Sequence, residues 1–268
     1  METTIHGARI HYERAGQGFP VVLLHAGTAD SRMWEPQAGA FAKHFDVIRP
    51  EVRGFGKSEL PRVRWSPVAD LLALMDELHL KPAHLVGCSL GAMLAIDFAL
   101  EHAERISKLV LVGPGIGGAN FRKEHPDVFA EVRAAEQSRD LDAVNEAEMH
   151  LFLDGPRRTP GYVKQPVREH PAESRVRMLF LAMNGPNLRS DFEGAPTDDL
   201  NPPAVERLHE ITAPVLILVG DEDVPTIFEA VDLLMEKLPH ARKAVIHDAA
   251  HLPNLEHPQE FNRLSWTS

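Results

Sequence analysis

Two rhythms of apolar and polar residues alternate along the chain. Residues 8–14 (ARIHYER) switch between apolar and polar at nearly every step, which predicts an edge strand with one wet face. After the turn Gly16-Gln17-Gly18 come unbroken apolar runs: PVVLLHAG from Pro20, FDVI (45–48), AHLVG (83–87), KLVLVG (108–113), PVLILVG (214–220) and KAVIH (243–247). Runs this short and this rich in Val, Ile and Leu are strands buried on both faces, as in a parallel sheet covered by helices. Between them the apolar residues return every three or four positions. Val68, Leu71, Leu72, Met75 and Leu78 form one stripe, and IFEAVDLLMEKL (227–238) carries another. Strand and helix in alternation predict an α/β fold: a doubly wound, mostly parallel sheet with helices on both faces.

The alternation stops between about Gly117 and Ala204. PDVFAEVRAAEQSRD, LDAVNEAEMHLFLDG and ESRVRMLFLAMNG read as helices, with prolines and a turn at Arg157 to Gly161 between them. Asn201-Pro202-Pro203 marks the return to strand rhythm. The expected organisation is a core of residues 1–116 and 205–268, interrupted by an all-helical insertion over 117–204.

Charge and cysteine usage remove several classes of function. Against 39 Asp plus Glu stand 28 Lys plus Arg, a formal charge of −11, and a chain this acidic repels nucleic-acid phosphates and anionic membrane surfaces. The single cysteine, Cys88, excludes an internal disulfide and a multi-cysteine metal knuckle. No run reaches the ~18 apolar residues of a membrane helix. The start, METTIHGARIHYERAG, lacks the basic flank and apolar stretch of a signal peptide. A soluble cytoplasmic protein is the expectation, with no nucleic-acid or membrane partner. No heptad or interface stripe indicates an oligomer.

The sharpest chemical signal is Gly87-Cys88-Ser89-Leu90-Gly91, a G-x-S-x-G directly after the strand AHLV and before the helix LGAMLAIDFALEH. On such a strand-to-helix turn a serine is held exposed, and glycine is needed on either side because side chains there would collide. The following helix starts at the nucleophile, so its dipole and the free N–H of Leu90 face any oxyanion formed. A serine hydroxyl needs a base, and the base needs an orienting acid. Among 15 histidines position must choose, and His251 sits on the loop after the last strand, before a short helix (HPQEFNRL). The loop after the preceding strand, Gly220-Asp221-Glu222-Asp223-Val224-Pro225, supplies the acid. Asp223 is preferred, with Asp221 as the alternative.

Taken together these motifs resemble the α/β-hydrolase superfamily, whose members run Ser, acid, His in chain order, as Ser89, Asp223 and His251 do here. The resemblance covers roughly residues 5–116 and 205–262. Its G-x-x-D pattern, counted from Gly220, puts the acid on Asp223. Its His-Gly motif is similar to His25-Ala26-Gly27, which implies an oxyanion hole from the backbone N–H groups of Gly27 and Leu90. Its Asp-x-Arg-Gly-x-Gly-x-Ser stretch is similar to Glu51-Val52-Arg53-Gly54-Phe55-Gly56-Lys57-Ser58, with Glu in place of Asp. The inserted helices resemble a cap domain, and the His25 and Met33-Trp34 stretches resemble those of esterases and enol-lactone hydrolases. A substrate pocket is expected to include His25, Trp34, Phe129, Phe152 and Met178, within a cap that also offers Leu153, Tyr162, Phe180 and Met183. Arg157, Arg158, Arg168, Arg175 and Arg177 are candidates for holding a substrate carboxylate.

Other signals are weaker. Gly56-Lys57-Ser58 ends like a P-loop, yet Glu51 stands where that motif needs glycine. Gly113-Pro114-Gly115-Ile116-Gly117-Gly118 satisfies G-x-G-x-x-G, but a proline-bearing stretch, ANFRKEHP, follows instead of a helix. His247 and His251 lack a third ligand and a shared helical face, so no metal is expected. Cys88 occupies a variable elbow position and reads as a small apolar filler. The expected activity is hydrolysis of a small-molecule carboxylic ester or lactone through an acyl-enzyme, a chemistry that needs no metal or organic cofactor. Carbon–carbon bond hydrolysis, cofactor-free perhydrolysis and non-turnover ligand binding are the alternatives on the same fold.

Overall fold

A computed structural model gives the structure over residues 1–59, 63–162 and 196–266. Each apolar run becomes a strand: β3 (Phe19–Leu24), β4 (Phe45–Pro50), β5 (Ala83–Cys88), β6 (Ile106–Val112), β7 (Val215–Gly220) and β8 (Arg242–Ile246). These six pair in parallel in the order β4-β3-β5-β6-β7-β8, with β2 (Ala8–Gly16) antiparallel beside β4. The alternating segment 8–14 does not form the edge. β1 (Glu2–Ile5) folds back on β2 as the outermost strand. The turn between them, His6-Gly7, has φ of 47° and 79°, the paired positive values of a two-residue hairpin turn whose twist suits the strands it joins.

Period-two alternation sends successive strand residues to opposite faces, and both faces are covered. On one face Val22, Leu24, Leu85, Leu111 and Ile217 pack with α2 (Pro67–Glu77), α3 (Leu90–Glu101) and the helix Pro225–Lys237. On the other, Val21, Leu23, Val86, Val110 and Leu218 meet Phe41 of α1 (Glu35–Phe41) and Leu255 and Phe261 of the helices near the carboxyl terminus. Burial of each such side chain contributes about 1.5–3 kcal/mol. The helix α2 starts where its sequence says it should. Pro67 occupies the first turn, and the Ser66 hydroxyl accepts the N–H of Ala69 at 3.1 Å.

Between β6 and β7 the chain leaves the sheet and forms α4 (Ala130–Ser138), α5 (Leu141–Met149), a π-helical turn (His150–Asp154) and α6 (Ala204–Arg207). The third helix expected from the sequence there, ESRVRMLFLAMNG, lies outside the described residues. The remaining helices are α7 (Pro225–Lys237), α8 (Pro253–Glu256) and α9 (Pro258–Trp266). Because the strands from β3 to β8 run parallel, the loops after β3, β5, β6, β7 and β8 all open at one edge of the sheet. That edge is where α/β sheets assemble sites. Among the described residues no helix is long and apolar enough to cross a membrane.

Candidate active site

Ser89 sits between the last residue of β5 and the first of α3 with φ 52° and ψ −110°, a conformation that costs a non-glycine residue about 1–3 kcal/mol. The neighbours explain how it is held. Its N–H donates to the carbonyl of Val112 at 2.9 Å, and its carbonyl accepts the N–H of Met93 at 3.0 Å. A Cβ on Gly87 would strike the backbone of Gly91, and one on Gly91 would lie 2.7 Å from the carbonyl oxygen of His25. The turn is therefore compressed from both sides, which presents the serine outward. Cys88 takes the opposite direction: it is buried in the core, with Sγ 3.8 Å from the carbonyl oxygen of His251. Burial, and then the charge of Asp223, push its thiol up and keep it a thiol at neutral pH.

Each of the three acids on the loop after β7 has a different partner. The carboxylate of Asp223 lies 2.9 and 3.1 Å from Nδ1 of His251 and also accepts the N–H of Val224 at 2.7 Å. Asp221 accepts from Nδ1 of His247 at 2.9 Å and from the N–H of Asp248 at 2.8 Å. Glu222 pairs with Arg157 at 2.9 Å. Of the two acids weighed from the sequence it is Asp223 that contacts His251. The two histidines face separate acids and share no common ligand position.

Beneath the buried pair lies a glycine whose position the sequence motif disguised. Gly113, at φ 47° after β6, would carry a Cβ 2.9 Å from Nδ1 of His251 and 3.1 Å from Oδ2 of Asp223. Gly113 opens the G-x-G-x-x-G string, and here that glycine makes room for an imidazole and a carboxylate. The other false signal also resolves locally. Lys57 donates its N–H to the Glu51 carboxylate at 2.6 Å and the Ser58 hydroxyl donates to the Glu51 carbonyl at 2.7 Å, so the Gly56-Lys57-Ser58 turn closes on itself. The Ser31 hydroxyl donates to the same carboxylate at 2.7 Å.

A cavity of about 390 Å³ brings Ser89 and His251 together with Gly27 and Leu90. Gly27 and Leu90 are adjacent, for a Cβ on Gly27 would lie 3.7 Å from that of Leu90. Leu90 is the first residue of α3, so its N–H has no acceptor within the helix. Phe129 and Phe152, both named from the sequence, line the cavity, the Phe152 ring 5.1 Å from the His251 imidazole. Thr28, Met93, Gly115, Arg122 and Val132 line it too. The sequence assigned none of these five a place in the pocket, since only folding brings the loop after β3, the first turn of α3 and the inserted helices together.

Two expected pocket residues lie elsewhere. His25 is fully buried, with Nδ1 2.9 Å from the carbonyl of Ala26 and Nε2 accepting the N–H of Val52 at 3.0 Å. Both ring nitrogens are used to tie two loops together, and burial holds its pKa below the usual histidine value. Trp34 is fully buried in the core, 6.0 Å from the ring of Phe261. The 3₁₀ turn Ser31–Trp34 swings it away from the cavity. Met178 lies outside the described residues, as do Phe180, Met183, Arg168, Arg175 and Arg177. Arg157 and Arg158 are engaged with protein acids: Arg158 reaches Asp248 at 2.5 Å, and Arg157 holds Glu222.

This arrangement of elbow, acid–histidine pair and sheet order coincides with a match to the alpha/beta hydrolase family model over residues 21–264. The chain belongs to the alpha/beta hydrolase family. Among similar proteins, 2-hydroxy-6-oxo-6-phenylhexa-2,4-dienoate hydrolase of Burkholderia cepacia is 28% identical over 273 residues, covering 98% of this chain and 92% of its own. Carboxylesterase YbfK of Bacillus subtilis (strain 168) is 26% identical over 252 residues, covering 91% and 77%. A solved structure described as Est816, an N-acyl homoserine lactone degrading enzyme, superposes with a TM-score of 0.75 at 27% identity, covering 99% of this chain and 98% of that one. Within this alpha/beta hydrolase, then, the elbow serine, the paired histidine and the adjacent glycine and leucine stand on the loops at the carboxyl edge of the sheet.

Proposed function

We propose that this alpha/beta hydrolase cleaves a small-molecule carboxylic ester or lactone with Ser89 as nucleophile, His251 as general base and Asp223 as the orienting acid. The observation that carries the reading is the shared cavity. The serine, the acid-bound histidine and the Gly27–Leu90 corner all face one space walled by Met93, Phe129, Val132 and Phe152. Asp223 on Nδ1 fixes the tautomer that leaves Nε2 free to take the serine proton, and it stabilises the imidazolium that forms. The serine oxygen attacks the carbonyl carbon, and the N–H groups of Gly27 and Leu90 stabilise the oxyanion, an effect of about 3–4 kcal/mol per donor. Collapse expels the alcohol, which receives the proton from His251. Water, deprotonated by the same imidazole, then attacks the acyl-enzyme and releases the carboxylic acid. Arg122, Glu136 and Glu148 also line the space, so an apolar acyl group or lactone ring fits against Met93, Phe129, Val132 and Phe152 while polar substituents meet the charged side chains.

The carboxylesterase and lactone-degrading relatives support the ester reading, and the dienoate hydrolase supports a second one, cleavage of a carbon–carbon bond by the same three residues. Initial rates on aryl esters of graded acyl length, on lactones and on a 2-hydroxy-6-oxo-dienoate separate them. Higher kcat/KM on an ester or lactone is expected. Turnover of the dienoate with no ester turnover would replace the first reading by the second.

A further inference from the structure

The loop that carries His251 is held from a side that this mechanism does not use. Glu256, the last residue of α8, turns its carboxyl group back onto the loop, where both oxygens accept the N–H of Ala250, at 3.1 and 3.0 Å. His251 itself donates its N–H to the carbonyl of Phe152 at 3.1 Å. Two consecutive backbone donors, those of Ala250 and His251, are thus taken, the first of them by a side chain. Since Gly113 packs against one edge of the imidazole and Asp223 takes Nδ1, the backbone clamp is what remains to set the reach of the opposite edge.

We propose that Glu256 is a positioning residue for the base: by gripping the backbone immediately before His251 it fixes where the free edge of the imidazole meets Ser89. The inference rests on the reading of Ser89, His251 and Asp223 given above. Charged groups facing the Glu256 carboxyl are Asp223, from the loop after β7, and Arg158, from the segment after the π-helical turn. Burial, reinforced by the charge of Asp223, pushes this carboxyl up to about 8 against the pull of the Ala250 N–H and of Arg158. Ionisation through that range strengthens the clamp, because a carboxylate accepts hydrogen bonds better than a carboxylic acid. It also adds negative charge near the imidazolium of the transition state. Both effects act in one direction. The rate rises with pH through about 8 as Glu256 ionises.

The experiment compares the unmutated protein with Glu256→Ala and Glu256→Gln, measuring kcat and KM on one aryl ester from roughly pH 6 to 10. Fluorophosphonate labelling rates are followed alongside. Glu256→Ala removes the clamp and is expected to lower kcat by about ten- to a hundredfold with KM little changed, the cost of a misplaced base. Glu256→Gln keeps an acceptor but cannot ionise. It is expected to retain kcat within a few-fold at pH 7 and to lose the step near pH 8, which a purely structural role would leave in place. A Glu256→Gln profile that superimposes on the unmutated one overturns the proposal, and so does unchanged kcat in Glu256→Ala. If Glu256→Ala does not fold, the Glu256→Gln profile decides alone. Failure of the underlying triad looks different, since the unmutated protein would then take no fluorophosphonate at Ser89. Failure of the Glu256 proposal alone leaves labelling equally fast in all three proteins.

Discussion

Two aspartate–histidine pairs stand side by side on the loops after β7 and β8, each closed at 2.9 Å: Asp223 with His251, and Asp221 with His247. Bond length does not distinguish them, but surroundings do. Side chains of the first pair are 0% and 5% exposed, those of the second 36% and 81%. Water competes for the outer pair, which therefore contributes no more than about 1 kcal/mol and holds its ring loosely. The inner pair has no such competitor, so its carboxylate dictates both the ring's orientation and its tautomer. Parallel pairing of β7 with β8 delivers both pairs together. The N–H of Asp221 donates to Ile246 and that of Glu222 to Ala249, leaving alternate acids on opposite sides of the loop.

The comparison is broken most directly by amidating each acid in turn. Asp223→Asn is expected to lower kcat on the order of 10⁴-fold, while Asp221→Asn stays within about twofold. Steady-state kinetics on a shared ester substrate read both. A larger loss from Asp221→Asn would hand the catalytic role to the outer pair.

The packing under the inner pair gives the next largest effect. Gly113→Ala puts a methyl within 3.1 Å of both partners at a positive φ, and a loss of about 10²-fold in kcat with a lowered Tm is expected. The neighbouring Gly115→Ala meets only Met93 Cβ, at 4.0 Å, and should stay within a few-fold. Thermal melts and kcat on both variants check the contrast.

A third acid shows what burial does without a histidine. Asp97 on α3 has its carboxyl pushed up to about 7, by burial first and then by Asp199 and Glu101, with Arg207 opposing. Its native pKa is above the unfolded one, so the native state holds the proton more tightly. The stability this contributes is full below about pH 4 and is lost as pH rises through about 7. Asp97→Asn should therefore raise Tm by a few degrees at pH 8 and change it little at pH 4, the smallest effect of the set. Equal shifts at the two pH values would count against it.

Much of this was legible beforehand, for identifiable reasons. Strands β3 to β7 are buried on both faces over most of their length, so their runs carry no ambiguity of face, while the edge strand β8 is recognised by its short apolar run alone. The elbow is legible because its G-x-S-x-G spacing lies wholly within the turn, although Gly91 is forced by the distant backbone of Leu24 and His25. β1 was missed although the His6-Gly7 dipeptide was there to announce a hairpin, since a four-residue edge strand has too short a pattern to recognise. Trp34 was misplaced because its partner, Phe261, is remote in sequence and only the fold joins them. His25 was misread for a related reason. Its bond to Ala26 is local but its bond to Val52 reaches the loop after β4, and a histidine beside a glycine in a loop has no sequence mark that separates a wall of a pocket from a tie between loops. Gly113 was read in a string with the glycines that follow it, when its meaning lay in Asp223 and His251 on neighbouring loops.

The central claim is that a single activated serine does the chemistry. Intact-mass analysis after treatment with a fluorophosphonate, on the unmutated protein and on Ser89→Ala, tests it without knowledge of the substrate. The account predicts one adduct on the unmutated protein and none on Ser89→Ala. Equal labelling of both proteins, or none on either, would contradict it.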